Sequence, residues 1–245
     1  MSGFKAHFEV SGGLDLSNEE TNLTEKHREE IRQIAARYPQ KRSALLPALH
    51  LVQSVDGRVS PKGLEMCAEE LDVTPADVNG VATFYTMYKR KPTGKHHVGV
   101  CVTALCGIMG GDHIFEALSD HLGIGNDETA EDGSVTLERV ECNAACDYAP
   151  VVMVNWEFFD YMTPDKAIKL VDDLAAGNPV QSTRGAQITS WREAERVLAG
   201  FDDGRTDEGP SAGPASLLGL NIAKENDWHA PDPANLPAQS EGESQ

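Results

Sequence analysis

Two short cysteine pairs constrain this chain more than any other feature of its sequence. Cys101 and Cys106 form a C-x4-C pair in CVTALC, and Cys142 and Cys146 form a C-x3-C pair in CNAAC. The fifth cysteine, Cys67, stands apart from both pairs. Each pair follows a short β-rich run, so we expect the four thiols on loops at strand ends, where a rigid scaffold commonly holds ligands. Four thiolates on two loops are a suitable donor set for a soft metal centre.

Three chemistries compete for these four thiols. Structural zinc sites favour C-x2-C knuckles, and a thioredoxin-type dithiol requires C-x-x-C. Neither pair has that spacing. Plant-type [2Fe–2S] proteins begin with C-x4-C, which the first pair matches, whereas the C-x3-C of the second pair departs from the plant-type order. The glycine-rich loop GIMGG at 107–111 would let backbone N–H groups approach cluster sulfides. Spacing therefore favours a [2Fe–2S] cluster and leaves zinc and a dithiol as open alternatives.

Composition argues against several function classes. The chain of 245 residues carries a formal net charge of −18, which repels phosphate backbones, so we expect no nucleic-acid partner. No apolar run approaches the ~20 residues that span a bilayer, so we expect no direct membrane insertion. The first residues, MSGFKAHFEVSGG, lack the basic and apolar regions of a signal peptide. From this we expect a cytoplasmic protein, in which disulfides rarely persist.

The first part of the chain has the periodicity of helices. We interpret residues 1–23 as an N-terminal tail and residues 24–92 as a helical bundle. Apolar residues recur at helical spacing in 24–38. The dipeptides Ser-Pro at 60–61 and Thr-Pro at 74–75 repeat one helix-start pattern, an oxygen-bearing cap followed by proline.

The remainder predicts a second domain and an extension. Residues 93–178 run strand, helix, strand, strand hairpin and helix, which is typical of a thioredoxin-like α/β domain. The segment VTLERVEC alternates apolar and polar residues, as a half-buried strand does. Residues 179–245 contain one short helical pattern and are otherwise acidic, rich in Gly, Pro and Ser and poor in apolar residues, which favours disorder. The predicted fold class is α/β: an N-terminal helical bundle, a thioredoxin-like [2Fe–2S] ferredoxin domain and a disordered acidic C-terminal tail.

Three blocks carry a resemblance to a known family. They are RYPQKRSALLPALHLVQ, ADVNGVATFYTMYKRKPTGKHHVGVC and VECNAACDYAPVVMVNWEFFDYMTPDKA. Together they resemble the small [2Fe–2S] subunit of respiratory complex I, the E-subunit family of bacterial NADH:quinone oxidoreductases, over about residues 24–178. The resemblance implies that one [2Fe–2S] cluster is ligated by Cys101, Cys106, Cys142 and Cys146.

The same resemblance implies a function in electron transport. It implies single-electron exchange with the FMN of a neighbouring NADH-binding subunit, next to a large iron–sulfur subunit, at the cytoplasmic face of the cell membrane. The chain itself lacks a dinucleotide fingerprint, so we expect no substrate site of its own. Alternative functions are the same module in a soluble NAD-dependent hydrogenase or formate dehydrogenase, and a structural zinc protein. We expect the C-terminal extension to serve as an interface.

The sequence departs from the family pattern at three positions beside the cysteines. Leu105 stands where the family often has Pro, Gly107 where it often has a bulky residue, and Ala144 where it often has Gly. These changes leave the four thiols intact and bear on the potential of the cluster, for which a plant-type environment suggests roughly −400 mV.

Three other residues invite a metal-site interpretation. His96 and His97 suggest a Rieske-type centre, in which two histidines replace two cysteines on one iron. Four suitably placed cysteines make that unnecessary, so we interpret both histidines as strand-start residues. Cys67 lies within a predicted helix, and we expect it to be a small buried apolar residue.

Overall fold

The computed structural model describes residues 20–206, 208, 209 and 212–230. Most of the predicted tail of 1–23, and the last residues of the extension, lie outside the described residues. Helices and strands follow one another in this order: α1 (Glu25–Ala35), α2 (Leu45–Asp56), α3 (Pro61–Leu71), α4 (Pro75–Phe84), β1 (His96–Cys101), α5 (Ala104–Ile108), α6 (Gly111–Leu122), β2 (Glu128–Thr129), β3 (Val135–Val140), β4 (Val152–Val154), β5 (Glu157–Phe159), α7 (Pro164–Ala175), α8 (Trp191–Leu198) and α9 (Pro214–Glu225). Short 3₁₀ turns at Lys41–Ala44 and Cys146–Tyr148 complete the described elements.

The first four helices pack around one apolar core. Ser60 caps α3, because its hydroxyl accepts the N–H of Gly63 at 3.0 Å, and Thr74 caps α4 through a reciprocal capping box with Asp77. Both predicted helix starts are thereby confirmed. The core is formed by buried side chains of all four helices, among them Ile31, Ile34, Leu49, Val52, Cys67, Leu71 and Val78.

The second half of the fold is a five-stranded sheet in the order β2-β3-β1-β4-β5. Strands β1 and β3 are parallel, and the remaining neighbours are antiparallel. The two-residue edge strand β2 was not predicted. Helices α6 and α7 pack on one face, where the apolar core contains Val98, Val100, Ile114, Leu118, Leu137, Val152, Val154 and Val171. The predicted fold class is confirmed.

Helix α8 lies in the segment that composition assigned to a largely disordered extension. Its Trp191 is 1% exposed and its Glu195 is fully buried. Glu195 accepts hydrogen bonds from Gln53 at 2.8 Å and from Trp156 at 3.0 Å, and its carboxylate lies 2.6 Å from Nδ1 of His50. Because these partners come from both halves of the chain, α8 fastens the helical unit to the sheet. Folded structure therefore continues past residue 178. The division into a helical domain at 24–92 and a second domain at 93–178 remains a prediction.

Helix α9 also lies in the extension and is more exposed than α8. It packs beside the 3₁₀ turn Cys146–Tyr148, and Ser216 donates a hydrogen bond to Asp147 at 2.9 Å. None of the helices in the described ranges is both long enough and apolar enough to cross a membrane.

Candidate metal centre

The first cysteine pair is held by regular secondary structure. Cys101 ends β1 and Cys106 lies in α5, and the two residues are 2% and 3% exposed. Thr103 stands at the N-cap of α5, and its carbonyl accepts the N–H of Cys106 at 3.1 Å. A Cβ on Gly111 would lie 2.4 Å from the carbonyl oxygen of Cys101. Only glycine therefore allows α6 to begin so close beneath this pair.

The second cysteine pair is held by a loop and is exposed. Cys142 follows the end of β3, and Cys146 begins the 3₁₀ turn. Their sulfur atoms lie 3.9 Å apart, and the N–H of Ala144 points to Sγ of Cys142 at 3.4 Å. Ala144 has φ +55°, a left-handed conformation that glycine adopts without steric cost.

The parallel pairing of β1 and β3 brings the two pairs together. In that register Cys101 lies opposite Val140, so the cysteine loops leave the sheet side by side. The backbone N–H of Asn143, between Cys142 and Cys146, lies close enough to the sulfur of Cys101, at the end of β1, to stabilise its thiolate. The buried pair shares a small apolar cluster with Ala145, Ala149 and Val151. The structure thus places all four predicted ligands near the C-terminal ends of strands β1 and β3.

The thiols perturb one another electrostatically. Burial raises the pKa of Cys101, but hydrogen bonds from Thr103, Cys106 and Asn143 outweigh it and leave this pKa below its ordinary value. Burial, reinforced by the charges of Cys101 and Cys146, raises the pKa of Cys106 to about 11. The hydrogen bond with Cys142, followed by its charge, raises the pKa of Cys146. Cys101 therefore loses its proton more easily than an ordinary cysteine, whereas Cys106 and Cys146 resist deprotonation. Bound cations would offset the repulsion between the negative thiolates.

The residues present fit a two-iron cluster. Two thiols for each of two irons form the donor set of a [2Fe–2S] centre, and the thiols here are arranged as two neighbouring pairs. The side-chain Nδ2 of Asn143 is buried without a hydrogen-bond partner, and sulfur atoms of a cluster would supply acceptors where such a donor is otherwise costly. Across the described ranges, no group of three or more His, Cys, Asp or Glu side chains is placed to hold one metal ion.

Comparison with known proteins identifies the family. The family model for thioredoxin-like [2Fe–2S] ferredoxins matches residues 31–175. The E subunit of NADH-quinone oxidoreductase from Mycobacterium tuberculosis is 55% identical over 203 residues, which cover 82% of this chain and 81% of that protein. The chain belongs to the thioredoxin-like [2Fe–2S] ferredoxins of the E-subunit type.

More distant members of the E-subunit family match a shorter part of the chain. NADH-quinone oxidoreductase subunit 2 of Thermus thermophilus is 37% identical over 149 residues, 60% of this chain and 82% of that protein. The E subunit from Rickettsia bellii is 39% identical over 144 residues, 58% of this chain and 86% of that protein. The predicted family and its [2Fe–2S] cofactor are confirmed.

A solved structure supports the fold alone. The crystal structure of an NAD+-reducing [NiFe]-hydrogenase in the H2-reduced state matches with a TM-score of 0.50 and 18% identity, over 55% of this chain and 22% of that chain. At such low identity the match supports a shared fold, and it gives little support to a function in a hydrogenase.

The structure gives a physical reason for one departure from the family pattern and shows that a second departure is strained. A Cβ on Gly107 would lie 2.8 Å from the carbonyl oxygen of Val102, so a bulky residue does not fit after Cys106 without backbone movement. Ala144 occupies the left-handed position where the family's glycine would be unstrained. Leu105 is partly exposed, and nothing in the structure explains its replacement of Pro.

The other candidate residues lie apart from the cysteines. Nε2 of His97 is 2.6 Å from Glu138, and its ring packs against Trp156 and Trp191. Burial lowers the pKa of His96 to about 4. Both histidines begin β1, as predicted.

Cys67 also lies apart from the four thiols, in α3. It is fully buried, and burial raises the pKa of its thiol to about 12. It is the small buried residue that the sequence predicts.

Two residues at the site were not predicted, Thr103 and Asn143. Both lie inside the cysteine motifs, as the second residue after Cys101 and the first after Cys142. A hydroxyl or amide residue so close to a ligand is the feature of the sequence that would have pointed to them.

Proposed function

We propose that this chain is the iron–sulfur electron-transfer subunit of an NADH-quinone oxidoreductase, with one [2Fe–2S] cluster ligated by Cys101, Cys106, Cys142 and Cys146. The observation that carries the proposal is the meeting of two thiol pairs where β1 and β3 end in parallel. The relatives that share most of its length are named as subunits of that enzyme. Its partners are accordingly other subunits of the same complex.

The residues around the thiols suit single-electron exchange. A bound [2Fe–2S] cluster accepts and releases one electron at a time. Cys101 and Cys106 would hold the buried side of the group, while the exposed loop of Cys142 and Cys146 would bring its other side to the surface. The carboxylate of Asp147 lies beside this loop and contributes to the raised pKa of Cys146. Negative charge at this position disfavours the reduced cluster.

The neighbouring surface supports a protein partner beside the cysteine pairs. Ile108 is 86% exposed and Met109 is 53% exposed, both directly after the first cysteine pair. Exposed large apolar side chains grouped at one place are typical of contact surfaces. We assign this surface to the FMN- and NADH-binding subunit, with the large iron–sulfur subunit beside it. The assembly would lie at the cytoplasmic face of the cell membrane.

The ligand assignment is tested by replacing one thiol from the exposed pair. The Cys142→Ser variant, expressed in iron-replete cells and isolated under low oxygen, should lose or alter the paramagnetic signal of the reduced cluster, because a hard oxygen replaces a soft thiolate. Cys67→Ala is the matched control and should keep the signal unchanged. An unchanged signal in Cys142→Ser would contradict the assignment.

The partner assignment has a separate test. NADH alone should leave the cluster of the isolated chain oxidised, since the sequence lacks a dinucleotide fingerprint. Addition of the FMN-binding subunit should allow NADH to generate the reduced signal. Ile108→Asp should weaken that reduction at least about tenfold at limiting subunit concentration, as a charge placed in an apolar contact does. Full reduction with a hydrogenase flavoprotein, and none with the complex I subunit, would favour the hydrogenase alternative.

A further inference from the structure

Thr103 directs its hydroxyl to a predicted ligand instead of to its own helix. A threonine at an N-cap ordinarily accepts a hydrogen bond from a backbone N–H in the first turn. At the N-cap of α5, the Thr103 side chain makes no such capping bond. Its Oγ1 lies 3.6 Å from Sγ of Cys101, within reach of a hydrogen bond to sulfur. When Cys101 is a thiolate, the hydroxyl is the donor.

Asn143 approaches the same sulfur from the second loop. Its backbone N–H lies close enough to the sulfur of Cys101 to stabilise the thiolate. The amide nitrogen of its side chain is buried and has no hydrogen-bond partner. Buried N–H groups in native proteins are nearly always paired. The position therefore calls for an acceptor, and the sulfur atoms of a cluster are acceptors of the right kind.

The sulfur of Cys142 receives its hydrogen bond from the backbone. The N–H of Ala144 approaches its sulfur at 3.4 Å, and the alanine side chain has no donor. The two side-chain donors are therefore the hydroxyl of Thr103, which lies beside Cys101, and the amide of Asn143, whose backbone approaches Cys101. Hydrogen bonds to the sulfurs are among the factors that set the potential of an iron–sulfur cluster. They stabilise the reduced form more, because it carries one more negative charge.

We propose that Thr103 and Asn143 raise the reduction potential of the cluster by donating hydrogen bonds from their side chains, Thr103 to the sulfur of Cys101 and Asn143 to a sulfur of the cluster. They are positioning residues that act through the ligand sphere. The inference rests on the proposed ligand role of Cys101. The couple concerned gains one electron and no atoms, as one Fe(III) becomes Fe(II).

The experiment is a redox titration of the full chain with dithionite, followed by electron paramagnetic resonance. Thr103→Val keeps the shape of the side chain and removes the hydroxyl, Thr103→Ser keeps the hydroxyl, and Asn143→Leu removes the amide at similar volume. We expect the ratio of reduced to oxidised cluster at a fixed solution potential to fall about tenfold in Thr103→Val and in Asn143→Leu. For a one-electron couple this is a shift of about −59 mV. Thr103→Ser should titrate with the wild type.

Iron and sulfide analysis separates this inference from the ligand assignment. Variants with two irons and two sulfides per chain and an unchanged potential would overturn the inference and leave the ligands in place. A wild-type chain without a cluster would overturn both.

If a variant fails to fold, a measurement on the wild-type protein still tests the role of Asn143. Asparagine labelled with ¹⁵N only at the side-chain amide should give a ¹⁵N coupling to the reduced cluster in pulsed spectra. The absence of that coupling would overturn the role of Asn143.

Discussion

The two cysteine loops carry the same kind of ligand in opposite settings. The first pair lies at the junction of a strand and a helix, buried above the start of α6. The second pair lies on an exposed loop that passes through a left-handed alanine. Regular structure therefore fixes one half of the candidate site, while hydrogen bonds and backbone strain shape the other half. A partner protein has access to the second half.

The largest difference expected between the loops is in thiol reactivity once the cluster has been removed with a chelator. Exposed Cys142 should react with iodoacetamide first. Cys106 should react more slowly, because burial raises its pKa to about 11. Cys67, with a pKa of about 12, should hold about a thousandfold less thiolate than an ordinary cysteine. Peptide mass spectrometry measures the order, and equal rates for Cys142 and Cys106 would contradict this picture.

The next difference concerns the glycine that begins α6 beside the first cysteine pair. Gly111→Ala should lower the free energy of unfolding by about 3 kcal/mol, since the new Cβ would meet two backbone carbonyl groups. Urea denaturation measures the loss. Gly80→Ala is the matched control, because a Cβ there meets nothing within 4 Å and an exposed helix position gains up to about 1 kcal/mol from alanine. A neutral Gly111→Ala would show that α6 is free to move away from the cysteines.

The smallest difference concerns alanine in the second loop. Ala144→Gly should raise the free energy of unfolding by about 1 kcal/mol, because it removes the steric cost of φ +55°; the greater entropy of the unfolded glycine chain offsets part of this gain. Ala145→Gly is the control in the same loop. Ala145 is buried, with φ outside the left-handed region, so its replacement should destabilise the protein. If both variants destabilise equally, strain at Ala144 is not what distinguishes this loop.

Much of the fold was predictable because its causes are local. The helix starts at Ser60 and Thr74, each followed by proline, and the alternation that becomes β3 depend on neighbours within a few residues. The cysteine spacing likewise predicted a site at the ends of two strands, since those strands could be recognised. The expectation that all four thiols lie on loops was wrong for Cys106, which lies in α5.

What could not be predicted depends on distant partners. Helix α8 is held by a buried glutamate whose partners include His50 and Trp156, and composition alone does not reveal such a pairing. The same holds for Asn143, whose approach to the sulfur of Cys101 requires the two cysteine motifs to lie side by side. Thr103, by contrast, is a local neighbour of Cys101, only two residues away along the chain.

We propose that both cysteine pairs bind one shared two-iron cluster. The most direct measurement is iron, zinc and acid-labile sulfide analysis of the full chain isolated under low oxygen. We expect two irons and two sulfides per chain, with no stoichiometric zinc and with a paramagnetic signal on one-electron reduction. One zinc per chain without sulfide would contradict it.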